Sequence, residues 1–372
     1  MSKSAKNTKK LVVTFPHMGS YHVPLEILLK KIFKGADVLV PPPVTKKTLD
    51  IGALHSPDFV CVPFKYTLGN VIEAVEKGAN VVVQAGCAGD CRVSFYAELQ
   101  SKILKDLGHD VVMVNPFPGL TFNPFQSLKV MKKAGARASF IPAANSALTA
   151  MRMIQVMDKI DDFIRANEGF EVVKGSFTKL NDQFLEELKN AKWYFGVNKI
   201  YKKYLKRFKE LGINKPENPI RVLVVGEVYV LMEPYSNYFV EKQLAKFGIE
   251  VRRDITLSRL MRVNYKERQR LVKLAEDYLK YDIAADGLNS VATAVEVAKQ
   301  GYDGVIHLKP FGCLPEVSAM PMLANITKDL GIPVLYFSLD TQTSETGAKT
   351  RLEAFYDMLV MKRDKQKEGE MK

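Results

Sequence analysis

VVVQAGCAGDCRVSFYAELQSKILKDLG, residues 81–108, passes from an unbroken apolar run through a glycine turn into a segment with apolar residues three and four apart. The run reads as a buried strand, and the segment as an amphipathic helix that stops at Gly108. A second apolar run, DVVMVNP, follows directly at 110–116. Strand, helix and strand in so short a span form a βαβ unit, and such units build parallel sheets.

The same alternation extends in both directions. Upstream, KLVVTF (10–15), DVLVPPP (37–43) and DFVCVPF (58–64) are expected strands. Between them VPLEILLKKIF, TKKTLDIGALH and TLGNVIEAVEKG are expected helices. Pro24 falls in a first turn, where its missing N–H costs little, and Thr45 is a candidate N-cap. Residues 121–217 lose the strand signal, and 143–168 and 176–212 have helical spacing. After the linker NKPENP (214–219), strands return at RVLVVGE (221–227), IEVRRD (249–254), DGVIHLKP (303–310) and IPVLYFSLD (332–340). Helices are expected around them at 236–248, 265–281, 289–300, 318–330 and 345–359. The expected fold class is α/β, with two Rossmann- or flavodoxin-like parallel-sheet domains joined by a helical segment. The first domain takes residues 10–140, the connecting helices 141–217 and the second domain 218–363, with flexible basic tails at 1–9 and 364–372.

With 372 residues and 47% hydrophobic content the chain can fill two cores. No apolar run reaches the roughly 18 residues of a membrane helix, and LVVTF before Pro16 is too short for a signal-peptide core. A cytoplasmic protein with no membrane partner is expected. The net charge of +13 is concentrated in residues 1–10, 193–215 and 362–372. In 193–215 the bases lie opposite an apolar stripe of Val197, Ile200, Tyr201, Tyr204, Leu205, Phe208 and Leu211, so they face outward from a one-sided helix. Neither a zinc-finger spacing nor RNP-like aromatic strands accompany the charge, so a nucleic-acid partner is not expected.

The four cysteines, Cys61, Cys87, Cys91 and Cys313, all fall at the expected carboxyl ends of strands. That is where open parallel sheets bind ligands, whereas inert thiols belong mid-strand or on inner helix faces. Cys91 opens a helix, whose dipole favours an anionic ligand, and Arg92 adds charge of the same sign. Gly86 and Gly89 leave room for a bulky group. A C-x3-C spacing is looser than the C-x2-C pairs of structural zinc, while iron–sulfur clusters accept varied spacing and distant ligands. The spacing alone leaves both metals open.

These residues lie in segments that resemble the 2-hydroxyacyl-CoA dehydratase family, which includes benzoyl-CoA-reductase-like and double-cubane relatives. The matching pieces are SPDFVCVPFKYTLGN (56–70), CRVSFY (91–96), GEVYVLMEPYSN (226–237), GYDGVIHLKPFGCLPE (301–316) and SLDTQTSETGAKTRLEAFYDML (338–359). The chain is most similar to the short branch related to the acyl-CoA dehydratase activators. The resemblance implies a [4Fe–4S] cluster between two α/β domains, ligated by Cys61, Cys91 and Cys313. It also implies an ATP-dependent activator of actin-like ATPase fold as electron donor, and an acyl-CoA or other small molecule as substrate. A homo- or heterodimer is the expected assembly. Cys87 departs from the pattern, and as a fourth ligand it would close the cluster. A double cubane would need about six thiolates where one chain has four.

Remaining candidates are His17 and His22 after the first strand, and Glu227 and Glu316 after strands of the second domain, all as catalytic acids or bases. Lys65 and Arg92, with Gly86 and Gly89, are candidates to contact the cofactor. GAKTR (347–351) lacks the spacing of a phosphate loop. The expected function is reductive or radical dehydration driven by low-potential electrons. The alternative is a non-catalytic electron-transfer or scaffold protein with all four cysteines on the cluster, and a zinc-stabilised or metal-free interaction protein is a third reading.

Overall fold

The computed structural model describes residues 10–86, 91–117, 123–191, 193–261, 265–281, 283 and 285–370. They form two compact units. Residues up to His17, Tyr21–Ser56 and Phe64–Ala150 make the first, and Met18–Ser20, Pro57–Pro63 and everything from Met151 make the second.

The first unit contains a four-stranded parallel sheet of β1 (Val12–Thr14), β2 (Asp37–Val38), β3 (Val81–Val83) and β4 (Val112–Val114), in the order β2-β1-β3-β4. Its helices are α1 (His22–Ile32), α2 (Lys46–His55), α3 (Val62–Glu76), α4 (Tyr96–Asp106), α5 (Pro124–Lys133) and the start of α6 (Phe140–Asn167). Val13, Phe15 and Val81 pack with Leu29, Phe33 and Met131 as one core. Thr45 caps α2 as expected, in a reciprocal capping box with Thr48. Helices α2 and α3 touch backbone to backbone. A Cβ on Gly52 would fall 1.7 Å from the Lys65 carbonyl oxygen, and one on Gly69 would fall 1.9 Å from that of Thr48.

The expected strand over 58–64 does not form. Residues 57–61 form neither strand nor helix, with a turn at 58–59, and α3 begins at Val62, so Cys61 opens a helix and does not end a strand. The physical reason lies in the segment's length and its neighbours. DFVCVPF has strand-like residues, but its last three continue the apolar spacing of TLGNVIEAVE, and Pro63 is well placed in a first helical turn. The first sheet therefore has four strands, not five.

The second unit starts with the remainder of α6, then α7 (Ser176–Lys189) and α8 (Tyr194–Lys209), packed through Phe163, Phe177 and Phe208. Val197, Tyr204 and Phe208 are buried on α8, while Lys199, Lys202, Lys203, Lys206 and Lys209 are exposed. Its sheet runs β6-β5-β7-β8, from β5 (Ile220–Gly226), β6 (Ile249–Arg253), β7 (Gly304–Pro310) and β8 (Val334–Leu339), all parallel. Both sheets thus share a 2-1-3-4 order of flavodoxin type, with its switch between the first and third strands.

The other helices are α9 (Val228–Met232), α10 (Val240–Lys246), α11 (Leu257–Leu260), α12 (Tyr265–Ala275), α13 (Gly287–Lys299), α14 (Leu314–Leu330) and α15 (Glu345–Glu370). Val291, Val295, Leu323 and Ile326 close the sheet against Leu223, Val225 and Val305. Two differences from the sequence reading concern connections. Residues 151–217 group with the second sheet. The segment 364–370, expected to be a flexible tail, continues α15; near its start Arg363 is tied to Asp303 at 2.7 Å and to the Pro219 carbonyl at 2.7 Å.

Candidate functional site

In the second unit the switch between β5 and β7 gathers polar groups at the carboxyl end of the sheet. Gly226 ends β5 at φ +139, and a Cβ there would lie 1.8 Å from the Leu308 carbonyl oxygen. Only glycine fits, and the turn it makes presents Glu227 as the cap of α9. The Glu227 carboxylate accepts from the Tyr229 and Val230 N–H groups at 3.1 and 3.0 Å. Burial pushes its pKa up to about 7, the two N–H groups act against this, and the charge of Glu316 adds to it.

β7 is buried along its whole length, yet carries His307 and Lys309. His307 Nε2 lies 2.6 Å from Glu316 Oε2, which also accepts from Ser290 Oγ at 3.0 Å. Glu316 Oε1 and His307 Nδ1 are buried and find no hydrogen-bond partner among the described residues. The His307 ring meets the Tyr336 ring edge-on at 5.7 Å. Asp286, just before α13, completes the group. Its carboxyl is held well above the ordinary range by burial first and then by Glu316 and Glu227, with the Val228 N–H opposing. The starts of α13 and α14 are in direct contact, since a Cβ on Gly287 would lie 2.8 Å from the Pro315 carbonyl oxygen. Burial thus moves the carboxyls of Glu227 and Asp286 toward the protonated form, beside the buried His307–Glu316 pair.

Lys309 is buried and donates to Ser338 Oγ at 3.1 Å. Burial lowers its pKa, and the attraction of Cys313 and Glu316 opposes this. Cys313, also buried, is the N-cap of α14. Cys61 is buried at the head of α3 and belongs to the same unit as Cys313, whereas Cys91, half-buried, is the N-cap of a 3-10 turn at Arg92–Phe95 in the first unit. Each of the three thiols is outside any disulfide. Among the described residues no three His, Cys, Asp or Glu side chains come together as a metal-binding group. Cys87 and Gly89 lie outside the described residues. The donor chemistry nonetheless fits an iron–sulfur cluster: these are unoxidised thiols at helix starts, which favour an anionic ligand, with a cation beside Cys313.

The remaining candidates disperse. His17 and His22 do come together in the first unit, their rings stacked at 5.3 Å, and the His17 N–H donates to Asn70 Oδ1 at 2.8 Å. Gly86 has a packing role, because a Cβ there would lie 2.7 Å from Asn115 Nδ2, and its N–H donates to Asn115 Oδ1 at 3.1 Å. Lys65 sits half-buried on α3, and Arg92 is exposed. His307, Lys309, Ser290 and Asp286 were not singled out by sequence reasoning. The available signal was a histidine and a lysine inside the otherwise apolar run GVIHLKP, two polar side chains that such a strand would not carry without partners.

Among curated proteins none matches the chain. Of solved structures, the periplasmic zinc-binding protein TroA from Treponema pallidum aligns over 95% of this chain and 98% of its own, at 10% identity and a TM-score of 0.22, a likeness too low to bear on fold or function. None of the described helices is long and apolar enough to cross a membrane. The decisive match is to a family model over residues 148–359, more than half of the chain, which contains Glu227, Asp286, His307, Cys313 and Glu316 and lies downstream of the other three cysteines. The chain belongs to the family of the 2-hydroxyglutaryl-CoA dehydratase D-component.

Proposed function

We propose that this chain is an iron–sulfur component of the 2-hydroxyacyl-CoA dehydratase type, from the short branch related to the activators, and that it works in the cytoplasm. Cys61, Cys91 and Cys313 hold a [4Fe–4S] cluster, with Cys87 as the adjacent fourth thiol. An ATP-dependent activator is the electron donor, and an acyl-CoA or a related small molecule is the substrate of a reductive or radical dehydration. When bound, the cluster supplies one-electron chemistry at low potential.

The observation that carries this reading is that Cys61 and Cys313 belong to one compact unit, both buried, each at the amino end of a helix and neither in a disulfide. Lys309 places a cation beside Cys313 in a buried setting, where it offsets negative charge. Removal of water from a hydroxyacyl group needs a proton delivered to the departing hydroxyl. Glu227, near the His307–Glu316 pair, is the carboxyl placed to hold that proton, and its pKa of about 7 suits an acid that works near neutrality.

The test is iron and sulfide content, with EPR of the dithionite-reduced protein, after anaerobic reconstitution. About four irons per chain are expected. Separate Cys61→Ser, Cys91→Ser and Cys313→Ser variants should each lose or convert the signal, and Cys87→Ala should keep it. Absence of iron in the wild type overturns the reading. Retention of the full signal in Cys313→Ser overturns the ligand assignment, and its loss in Cys87→Ala points to a four-thiolate electron carrier.

A further inference from the structure

In the first unit the corner between α5 and α6 carries large apolar side chains on its outside. Beneath it lies a small core of Leu128, Ala138 and Ala143, which takes in none of them. Asn123 caps α5 by accepting from the N–H groups of Phe125 and Gln126 at 3.0 and 3.2 Å, which fixes Phe125 in the first turn. Its ring stacks on that of Phe140, at the head of α6, with centroids 4.4 Å apart. Phe125 is nevertheless 66% exposed and Phe140 39% exposed. Ile141 and Leu148, two turns apart on one face of α6, are 80% and 58% exposed. A grouped apolar surface of this kind marks a contact site.

The charge around the patch has one sign. Between Asp110 and Asp158 the sequence has no acidic residue. Lys129, Lys132 and Lys133 on α5 and Arg137 before α6 are all exposed, and none makes an ion pair among the described residues. Phe125, Lys129 and Lys132 follow one another at spacings of four and three, so a ring and two ammonium groups share one face of α5. Lys34, in the turn after α1, adds an exposed cation, since a Cβ on Gly35 beside it would lie 3.6 Å from the Arg137 guanidinium. Asp37, in the same turn, is already paired with Lys10 at 2.7 Å. This composition selects the partner. Protein–protein interfaces are poor in lysine, whereas protruding aromatic and aliphatic side chains among lysines suit an anionic lipid surface. A second copy of the chain would bring like charges against these.

We propose that the α5–α6 corner is a peripheral docking surface for an anionic lipid bilayer. Phe125, Phe140, Ile141 and Leu148 enter the headgroup layer, and Lys129, Lys132, Lys133 and Arg137 face the lipid phosphates. Such a contact needs no spanning helix. It departs from the expectation of no membrane partner, which rested on the lack of a spanning run. The inference goes beyond the proposed function and does not depend on the cluster, since every residue in the patch belongs to the first unit.

The experiment is co-sedimentation of the full chain with vesicles of phosphatidylcholine alone and of phosphatidylcholine mixed with phosphatidylglycerol, at low and high ionic strength. The patch variants are Phe125→Ser/Ile141→Ser and Lys132→Gln/Lys133→Gln. The control, with the same loss of charge, is Lys102→Gln/Lys105→Gln on the exposed side of α4, which packs against α3. Binding to the mixed vesicles is expected, stronger at low salt, weakened roughly tenfold or more by each patch variant and at most about twofold in the control. Hydrogen exchange of the wild type provides a readout that needs no variant: mixed vesicles should slow exchange in Pro124–Lys133 and over the first turns of α6. No binding to mixed vesicles, equal binding to both vesicle types, equal loss in the control, or binding without that protection overturns the proposal. A dimer of the chain alone, seen by light scattering and dissociated by Phe125→Ser/Ile141→Ser, assigns the patch to a second copy and likewise overturns it.

Discussion

His307 and Glu316 meet at 2.6 Å inside the second unit, with 0% and 1% of their side chains exposed. One comes from the middle of β7 and the other from the first turn of α14, so strand, thiol and helix are joined across a single tight connection. A buried pair of this kind holds its geometry because neither partner has water as an alternative. Each nevertheless retains one polar atom without a partner among the described residues.

Removal of one partner should therefore be expensive. Glu316→Ala strands His307 and Ser290 and is expected to lower stability by about 3–5 kcal/mol. Glu316→Gln keeps an acceptor for Ser290 and should cost clearly less. Urea unfolding of both variants checks this, and equal midpoints for wild type and Glu316→Ala would remove the pair from any account of the core.

Glu227 predicts a pH dependence of definite sign. Its pKa is raised from 4.5 to about 7 in the folded state, so the folded protein binds the proton more tightly than the unfolded chain. Its contribution to stability is complete below pH 4.5 and declines as pH rises through about 7. Allowing for partial exposure, the decline is about 2 kcal/mol. Asp286, raised in the same direction, adds to it. Thermal unfolding at pH 5 and pH 8 should show the difference, and Glu227→Gln, which retains an acceptor for the α9 cap, should flatten it. A profile just as steep in the variant assigns the dependence to other groups.

Gly226→Ala, Gly52→Ala and Gly69→Ala test close backbone approaches. Each added Cβ would fall within 2 Å of a carbonyl oxygen, a clash that no rotamer change relieves. All three should destabilise by more than the ~1 kcal/mol range of ordinary substitutions. Gly226→Ala should in addition change the pH profile assigned to Glu227, because it moves the cap. Stability within error of wild type for any of them would contradict the packing described.

The basic face of α8 gives a prediction tied to the proposed function. Lys199, Lys202, Lys206 and Lys209 are exposed, and Trp193 and Phe195 beside them are 62% and 73% exposed. If an acidic activator docks there, replacing the four lysines with Gln should slow activator-dependent reduction and weaken its salt dependence without altering iron content. Unchanged reduction rates across several salt concentrations argue against this docking face.

Much of the architecture was legible in the sequence because its signals are local. VVVQAG and DGVIHLKP are apolar runs of strand length between helical segments, and a parallel sheet with both faces covered leaves few other readings. The Thr45 cap and the one-sided α8 follow from neighbours within four residues. DFVCVPF misled because a short apolar run fits a strand and a helix start equally well, and the outcome was set by what followed Pro63.

The site divides along the same line. The sequence by itself determined the α/β class, the position of Cys313 after a buried strand, and the prominence of Glu227 and Glu316 at strand ends. Only the tertiary structure decided that Glu316 bonds His307 and Ser290, that Asp286 joins Glu227 nearby, and that Lys309 lies beside Cys313. The physical reason is separation along the chain. Asp286 and Glu227 are far apart in sequence, so their mutual repulsion exists only once β5, α13 and α14 have packed. Glycines at 226 and 287 allow that packing by letting backbone meet backbone.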